Sequence, residues 1–263
     1  MPEINRALAR ASVASFGLTD KVALITGASR GIGRAIAERL ARDGAFVFVN
    51  FRSAASEAAA CVAAIRAAGG RAEELRADVS QPSQVRRMFE RIRNSAGKLD
   101  ILVANAGIAP IITDLARVTP KVWNDTFLVN VTGAFLCTQA AVPLLRRSKA
   151  GRVIFIGSAA SRLGGTIGPH YAASKAAISG LVEYLSRALG RHSITVNIVE
   201  PGFVATDLSS RLHHTRAKIR AMRQTVPLGR VGTVEEIAAA VAFLAAPSAG
   251  YITRQNLAVT GGR

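Results

Sequence analysis

The sequence predicts an α/β fold: one doubly wound, mostly parallel sheet of seven strands with helices on both faces. Three observations predict it. From Lys21 onward, short β-rich runs alternate with longer segments of helical period, the pattern of repeated β-α units. No Pro- or Ser-rich linker and no internal repeat divides these segments, so one domain over 21–263 is expected. The 263 residues, 49% apolar and 19% charged, provide enough apolar surface for one large core and exclude a disordered chain.

Taken in order, the strands are expected at 22–26, 46–50, 73–77, 101–104, 153–157, 195–199 and 256–259. The helices are expected near 32–42, 55–68, 83–95, 121–147, 172–189 and 234–246. Residues 1–20 precede the first strand as an Ala- and Arg-containing extension, flexible or docked on the surface, with a transit peptide as the alternative. Residues 203–230 are polar, basic and without clean period, an excursion from the sheet placed where a ligand lid would lie.

Composition narrows the function. Lys plus Arg number 34 against 17 Asp plus Glu, a net charge of +17. Only six of the bases are lysines, and the arginines run from Arg6 to Arg263 rather than massing in a tail. Such dispersion reads as solvated helix faces, although the field attracts nucleic acid weakly and speeds encounter with an acidic partner. Cys61 and Cys137 sit in apolar helical patterns without metal-ligand spacing, so they read as buried small hydrophobes, with no metal and no disulfide. No run of eighteen apolar residues and no continuous apolar leader is present, which points to a cytoplasmic protein with no membrane partner.

The run Val22-Ala-Leu-Ile-Thr26 leads into Gly27-Ala-Ser-Arg-Gly31-Ile-Gly33 and then a helical segment. In this strand-loop-helix setting Gly27 permits the turn, Gly31 lets backbone approach a pyrophosphate, and Gly33 lets helix and strand pack closely. Ser29, Arg30 and Ile32 line the same loop, so a Rossmann-like dinucleotide site is expected; a purely structural turn is the alternative. The spacing is GxxxGxG rather than GxGxxG. After the second strand the chain reads Val49-Asn50-Phe51-Arg52-Ser53. No carboxylate is offered to a ribose 2′-hydroxyl and a guanidinium stands in its place, which favours NADP(H) over NAD(H), with Arg30 reaching the same phosphate.

Tyr171 and Lys175 stand four apart on one helix face, and Ser158 closes the fifth strand thirteen residues before Tyr171. With these residues the chain resembles the short-chain dehydrogenase/reductase family from about Lys21 to Gly262. Thr26 to Gly33 matches the family's TGxxxGxG, and Ala104-Asn105-Ala-Gly107 its NNAG with the first Asn replaced. Asn130, Ser158, Tyr171 and Lys175 match its catalytic tetrad, and Pro201-Gly202 its PG motif.

The resemblance implies that Tyr171 is the general acid or base, with Lys175 favouring its phenolate and holding the nicotinamide ribose. It implies further that Ser158 positions the substrate oxygen and that Asn130 carries a water toward solvent. It adds Asp78 and Val79 at the adenine, Asn105 behind the loop, and Pro201, Gly202, Val204 and Thr206 near the carboxamide. The carboxyl third resembles 3-oxoacyl-acyl-carrier-protein reductases, which implies an acyl-thioester substrate, an acidic carrier partner docking near Lys149, Arg191 and His192, and a homotetramer built on the 121–147 and 172–189 helices. The loops after Gly107 and Ser158 depart from that pattern, which keeps a sugar, polyol or small hydrophobic alcohol or ketone open. A non-catalytic dinucleotide sensor or a nucleic-acid-binding protein is the reading from another class. His170 reads as a helix-start cap or a solvated residue.

Overall fold

The computed structural model describes residues 15–205 and 223–263. Seven strands form one sheet in the order β3-β2-β1-β4-β5-β6-β7, and every pairing is parallel. They are β1 (Val22–Ile25), β2 (Phe46–Phe51), β3 (Arg71–Arg76), β4 (Ile101–Ala104), β5 (Arg152–Ile156), β6 (Thr195–Pro201) and β7 (Asn256–Val259). The central strands β1, β4 and β5 are buried along their whole length because helices cover both faces.

One layer, α1 (Gly31–Arg42), α2 (Ala55–Ala67) and α8 (Val234–Ala245), buries Ile36, Leu40, Cys61, Ile237 and Val241 against the sheet. The other, α3 (Pro82–Ala96), α5 (Gly133–Ser148) and α7 (Pro169–Gly190), buries Val85, Phe89, Cys137, Leu144 and Val182. The strand order reverses between β1 and β4, so the loops after these strands diverge and leave a crevice at the carboxyl ends.

Several boundaries differ from those expected, for physical reasons. α7 begins at Pro169, where the fixed proline φ suits the first helical position, so Tyr171 lies inside the first turn. The expected 121–147 helix is α4 (Pro120–Phe127) continued by α5 through a wide π turn over Leu128–Thr132. Pro120–Ser148 together are long and apolar enough to cross a bilayer, yet Thr126, Asn130, Cys137 and Leu144 on it are buried within the protein. Part of the expected extension is packed: Leu18 is fully buried and donates its N–H to the Asp43 carbonyl at 2.9 Å, and Phe16 meets Phe243 edge-on.

Burial pushes the Cys61 thiol up to about 11 and the Cys137 thiol up to about 12. Thiolate is the reactive form, so both cysteines should ignore a disulfide reagent at pH 8 in the folded protein and react together on denaturation. A thiol count on native and denatured protein checks this, and one fast native thiol would contradict it.

Candidate active site

The glycine loop is packed closely at Gly27 and Gly33 and open at Gly31. Gly27 has φ +63° and a Cβ there would stand 2.9 Å from the Ala106 Cα. A Cβ at Gly33 would lie 2.5 Å from the Gly27 carbonyl oxygen, while Gly31 has φ +56° and open space around it. Thr26 Oγ1 accepts from the N–H groups of Asn105 and Ala106, both at 3.0 Å. Asn105 Nδ2 donates to the carbonyls of Thr26 and Gly27 at 2.8 and 3.0 Å. The first turn of α1 contains no acid, and no described side chain caps its N-terminus. Its leading amides and positive dipole end therefore face the loop, which fits the pyrophosphate of a dinucleotide. Ser29 is buried in the loop and Ile32 half-buried beside it.

Arg52 and Arg76 stand at the ends of β2 and β3, and Arg30 at the N-terminus of α1. Arg30 and Arg52 are exposed, as is Ser53, and Arg76 Nε donates to the Arg52 carbonyl at 3.3 Å. Asp78 Oδ1 accepts from the Ser80 N–H and hydroxyl at 2.9 and 2.7 Å, fixing the turn. The Val79 side chain is buried against Gly133, so only its backbone could meet a ligand.

Tyr171 and Lys175 project from one face of α7, with Lys175 Nζ 5.8 Å from the centre of the Tyr171 ring. Lys175 is buried and its Nζ donates to the Ile156 carbonyl at 2.7 Å. Desolvation lowers its ammonium to about 8. The Tyr171 phenol is pushed above its ordinary value by burial, which its hydrogen bond with the Ser158 hydroxyl opposes. Burial thus sets the direction of the phenol in this structure, while Lys175 Nζ, close to its ring, spends a hydrogen bond on the Ile156 carbonyl.

Asn130 lies in the π turn, buried, with Oδ1 accepting from the Ile108 N–H at 2.8 Å. Its Nδ2 donates to the Ile108 carbonyl and to Ser174 Oγ, each at 3.0 Å. A Cβ on Gly107 would stand 3.2 Å from Asn130 Oδ1 and 3.8 Å from Lys175 Nζ, so these residues share one wall. Ser158 Oγ accepts from the Ala160 N–H at 3.1 Å, at the head of the short helix α6 (Ala160–Leu163). Pro201 accepts from the Ala159 N–H at 3.0 Å, Gly202 packs on Thr260, and Val204 is buried and bridges to Gly232. Thr206, and the part of the expected lid over 206–222, lie outside the described residues.

His170 is neither a solvated residue nor a helix cap: it is fully buried, with Nε2 2.8 Å from the Pro110 carbonyl oxygen. No group of three or more His, Cys, Asp or Glu among the described residues could hold a metal ion.

A family model described as enoyl-(acyl carrier protein) reductase matches residues 27–263. The chain is 42% identical over 243 residues to the 3-oxoacyl-[acyl-carrier-protein] reductase of Escherichia coli strain K12, covering 92% of this chain and 96% of that one. It is 40% identical over 246 residues to the enzyme of the same name from Synechocystis, covering 93% and 97%. This chain belongs to the short-chain dehydrogenase/reductase family. As a member it is an oxidoreductase of CH–OH and keto groups, and family structures superpose closely. A Serratia marcescens short-chain dehydrogenase/reductase matches with TM-score 0.87 and 37% identity over 94% of this chain and 98% of that one. A 7α-hydroxysteroid dehydrogenase complexed with NADH and 7-oxo glycochenodeoxycholic acid matches with TM-score 0.89 and 32% identity over 94% and 96%.

Two supporting residues of the site lie outside the family motifs. Asn50 is buried at the end of β2; its Oδ1 accepts from Gly27 N–H at 3.2 Å and its Nδ2 donates to the Leu75 and Ala77 carbonyls. Glu200 is buried in β6, where it accepts from the Ser161 hydroxyl at 3.1 Å and pairs with Arg162 at 3.0 Å, anchoring the turn that follows Ser158. An amide in the apolar run of β2 and a carboxylate next to the Pro-Gly pair were the signals available.

Proposed function

We propose that this protein reduces a 3-oxoacyl thioester on acyl carrier protein to the 3-hydroxyacyl thioester, with NADPH as cofactor, in the cytoplasm. The observation that carries the reading is 42% identity across 96% of a 3-oxoacyl-[acyl-carrier-protein] reductase, in a chain that keeps a desolvated phenol, hydroxyl and ammonium beside a phosphate loop.

The backbone of Gly27, Ser29, Gly31, Ile32 and Gly33 would hold the pyrophosphate, supported from behind by Asn105. Arg30, Arg52 and Ser53 would take the 2′-phosphate, and Asp78 with Val79 the adenine. Pro201, Gly202, Val204 and Thr206 would border the carboxamide, and Lys175 the adjacent ribose. NADPH, when bound, supplies the hydride. Ser158 donates a hydrogen bond to the substrate oxygen and fixes its place. Tyr171 transfers its proton to that oxygen as the carbonyl carbon becomes an alcohol carbon. A phenol held above its ordinary value keeps this proton at neutral pH, which suits the reductive direction. The resulting phenolate is stabilised by Lys175 and reprotonated from solvent along the wall where Asn130 stands.

The basic face supports an acidic carrier. Arg146 reaches His192 Nε2 at 2.9 Å, Arg191 lies 3.3 Å from the same nitrogen, and Lys149 is exposed nearby in sequence. Partial desolvation and the two arginines hold the His192 imidazole below its ordinary value, so at neutral pH it accepts from Arg146. Trp123, Leu128, Phe135 and Tyr184 are exposed on the two long helices, which supports association of copies into a homotetramer.

A second reading, reduction of a free hydrophobic ketone, is favoured by the likeness to the hydroxysteroid dehydrogenase. NADPH oxidation separates them, measured with 3-oxoacyl-carrier protein, the enoyl thioester, sugars and simple ketones. Turnover of the 3-oxoacyl carrier, slowed by added salt through the rim charges, is expected. Turnover of the enoyl thioester or of free ketones alone would overturn it.

A further inference from the structure

We propose that His170 is a positioning residue that clasps the two loops bordering the substrate and thereby holds the apolar rim against which an acyl chain lies. The proposal rests on the acyl-thioester reading above and specifies how that substrate is gripped.

Both loops leave the site directly. The first follows Gly107, passes Asn130 through both backbone groups of Ile108, and continues over Pro110 and Ile112. The second follows Ser158 and returns at Pro169 to start α7. Two hydrogen bonds tie them near Tyr171. His170 Nε2 meets the Pro110 carbonyl at 2.8 Å, and the Ile112 N–H donates to the Ile167 carbonyl at 2.8 Å. A carbonyl only accepts, so Nε2 carries the proton.

Packing reinforces the clasp. Gly168 has φ +144°, and a Cβ there would lie 2.2 Å from the Ile112 carbonyl oxygen and 2.6 Å from the His170 ring. Gly168 is therefore wedged against the Ile112 carbonyl and the His170 ring, with no room for a side chain there. His170 Nδ1 is buried without a hydrogen-bond partner among the described residues, and Nε2 is taken by the Pro110 carbonyl. The loops so joined expose Ile111 at 40%, Leu115 at 74% and Leu163 at 54%. Three large apolar side chains on the two segments that frame a carbonyl-reducing site suit an alkyl chain and are wasted on a sugar.

The test compares His170→Leu, which keeps bulk and loses the donor, with His170→Gln, whose amide can still donate to Pro110. His170→Asn, whose amide is shorter, serves if the leucine variant does not fold. Steady-state kinetics use N-acetylcysteamine thioesters with four- and ten-carbon 3-oxoacyl chains, and amide hydrogen exchange is followed at Ile112. In the leucine variant the KM for the ten-carbon thioester should rise about fivefold to tenfold, the size of one ordinary hydrogen bond. Its kcat and the four-carbon KM should hold, Ile112 should exchange faster, and glutamine should restore both readouts. An equal fall in kcat on both chain lengths would make His170 part of the chemistry and overturn the proposal, as would Ile112 exchange that does not change. If the unaltered protein reduces neither thioester, the acyl reading fails by itself, and Ile112 exchange still decides the clasp.

Discussion

Tyr171→Phe should lower kcat for carbonyl reduction by about 10²- to 10⁴-fold, the usual contribution of a positioned general acid. The substitution removes one hydroxyl and leaves the ring that packs beside Lys175, so NADPH affinity, read by fluorescence titration, should stay as it is. Retained turnover would remove the phenol from the chemistry. Parallel loss of NADPH binding would show that the hydroxyl holds the cofactor as well, since the ring is unchanged.

The pH profile carries a second signature. Burial places the Lys175 ammonium at about 8, so the lysine is charged below that pH and loses its proton as pH rises through it. The phenol, moved upward, remains protonated across the same interval. Initial rates of reduction should therefore fall above about pH 8 with loss of the lysine charge, before any loss of the phenolic proton. Lys175→Arg, which stays charged, should not show that decline in whatever activity it retains.

Arg52→Asp should weaken NADPH by about 10- to 100-fold, the ~1.5–3 kcal/mol of a charge-assisted hydrogen bond, while leaving NADH nearly untouched. Arg52 is exposed at the end of β2, so its replacement disturbs no packing. Its backbone carbonyl still receives Arg76 Nε. Isothermal titration with the two dinucleotides measures the ratio directly. Equal weakening of both would refute assignment of this guanidinium to the 2′-phosphate.

The architecture was legible because its signals are local. Val22 to Ile25 is apolar on both faces, Gly27 to Gly33 has the turn chemistry of a phosphate loop, and Tyr171 and Lys175 share a helix face by spacing alone. The parallel order follows from alternating strands and helices, since parallel neighbours need long crossovers.

What was not legible depends on partners far away in the chain. Asn50 reaches residues 23 and 25 to 27 positions distant, and Asn105 reaches back 78 and 79. The widened turn at Asn130 has no sequence marker, because its side-chain bonds to Ile108 and Ser174 exist only once three elements meet. His170 reads as a helix-start residue until Gly168 and Pro110 close over it. The balance of burial and hydrogen bonding that raises the phenol belongs to the assembled site as well.

The side chains of Thr26, Asn50 and Asn105 are already bonded to the backbone of the glycine loop and of the turn after β4. Nucleotide capture therefore arrives at a finished seat: little chain entropy is lost on association, and contact energy translates into affinity with a small ordering deduction. Heat stability should then climb with the logarithm of nucleotide concentration, as mass action on a rigid receptor demands, rather than by a disorder-to-order step.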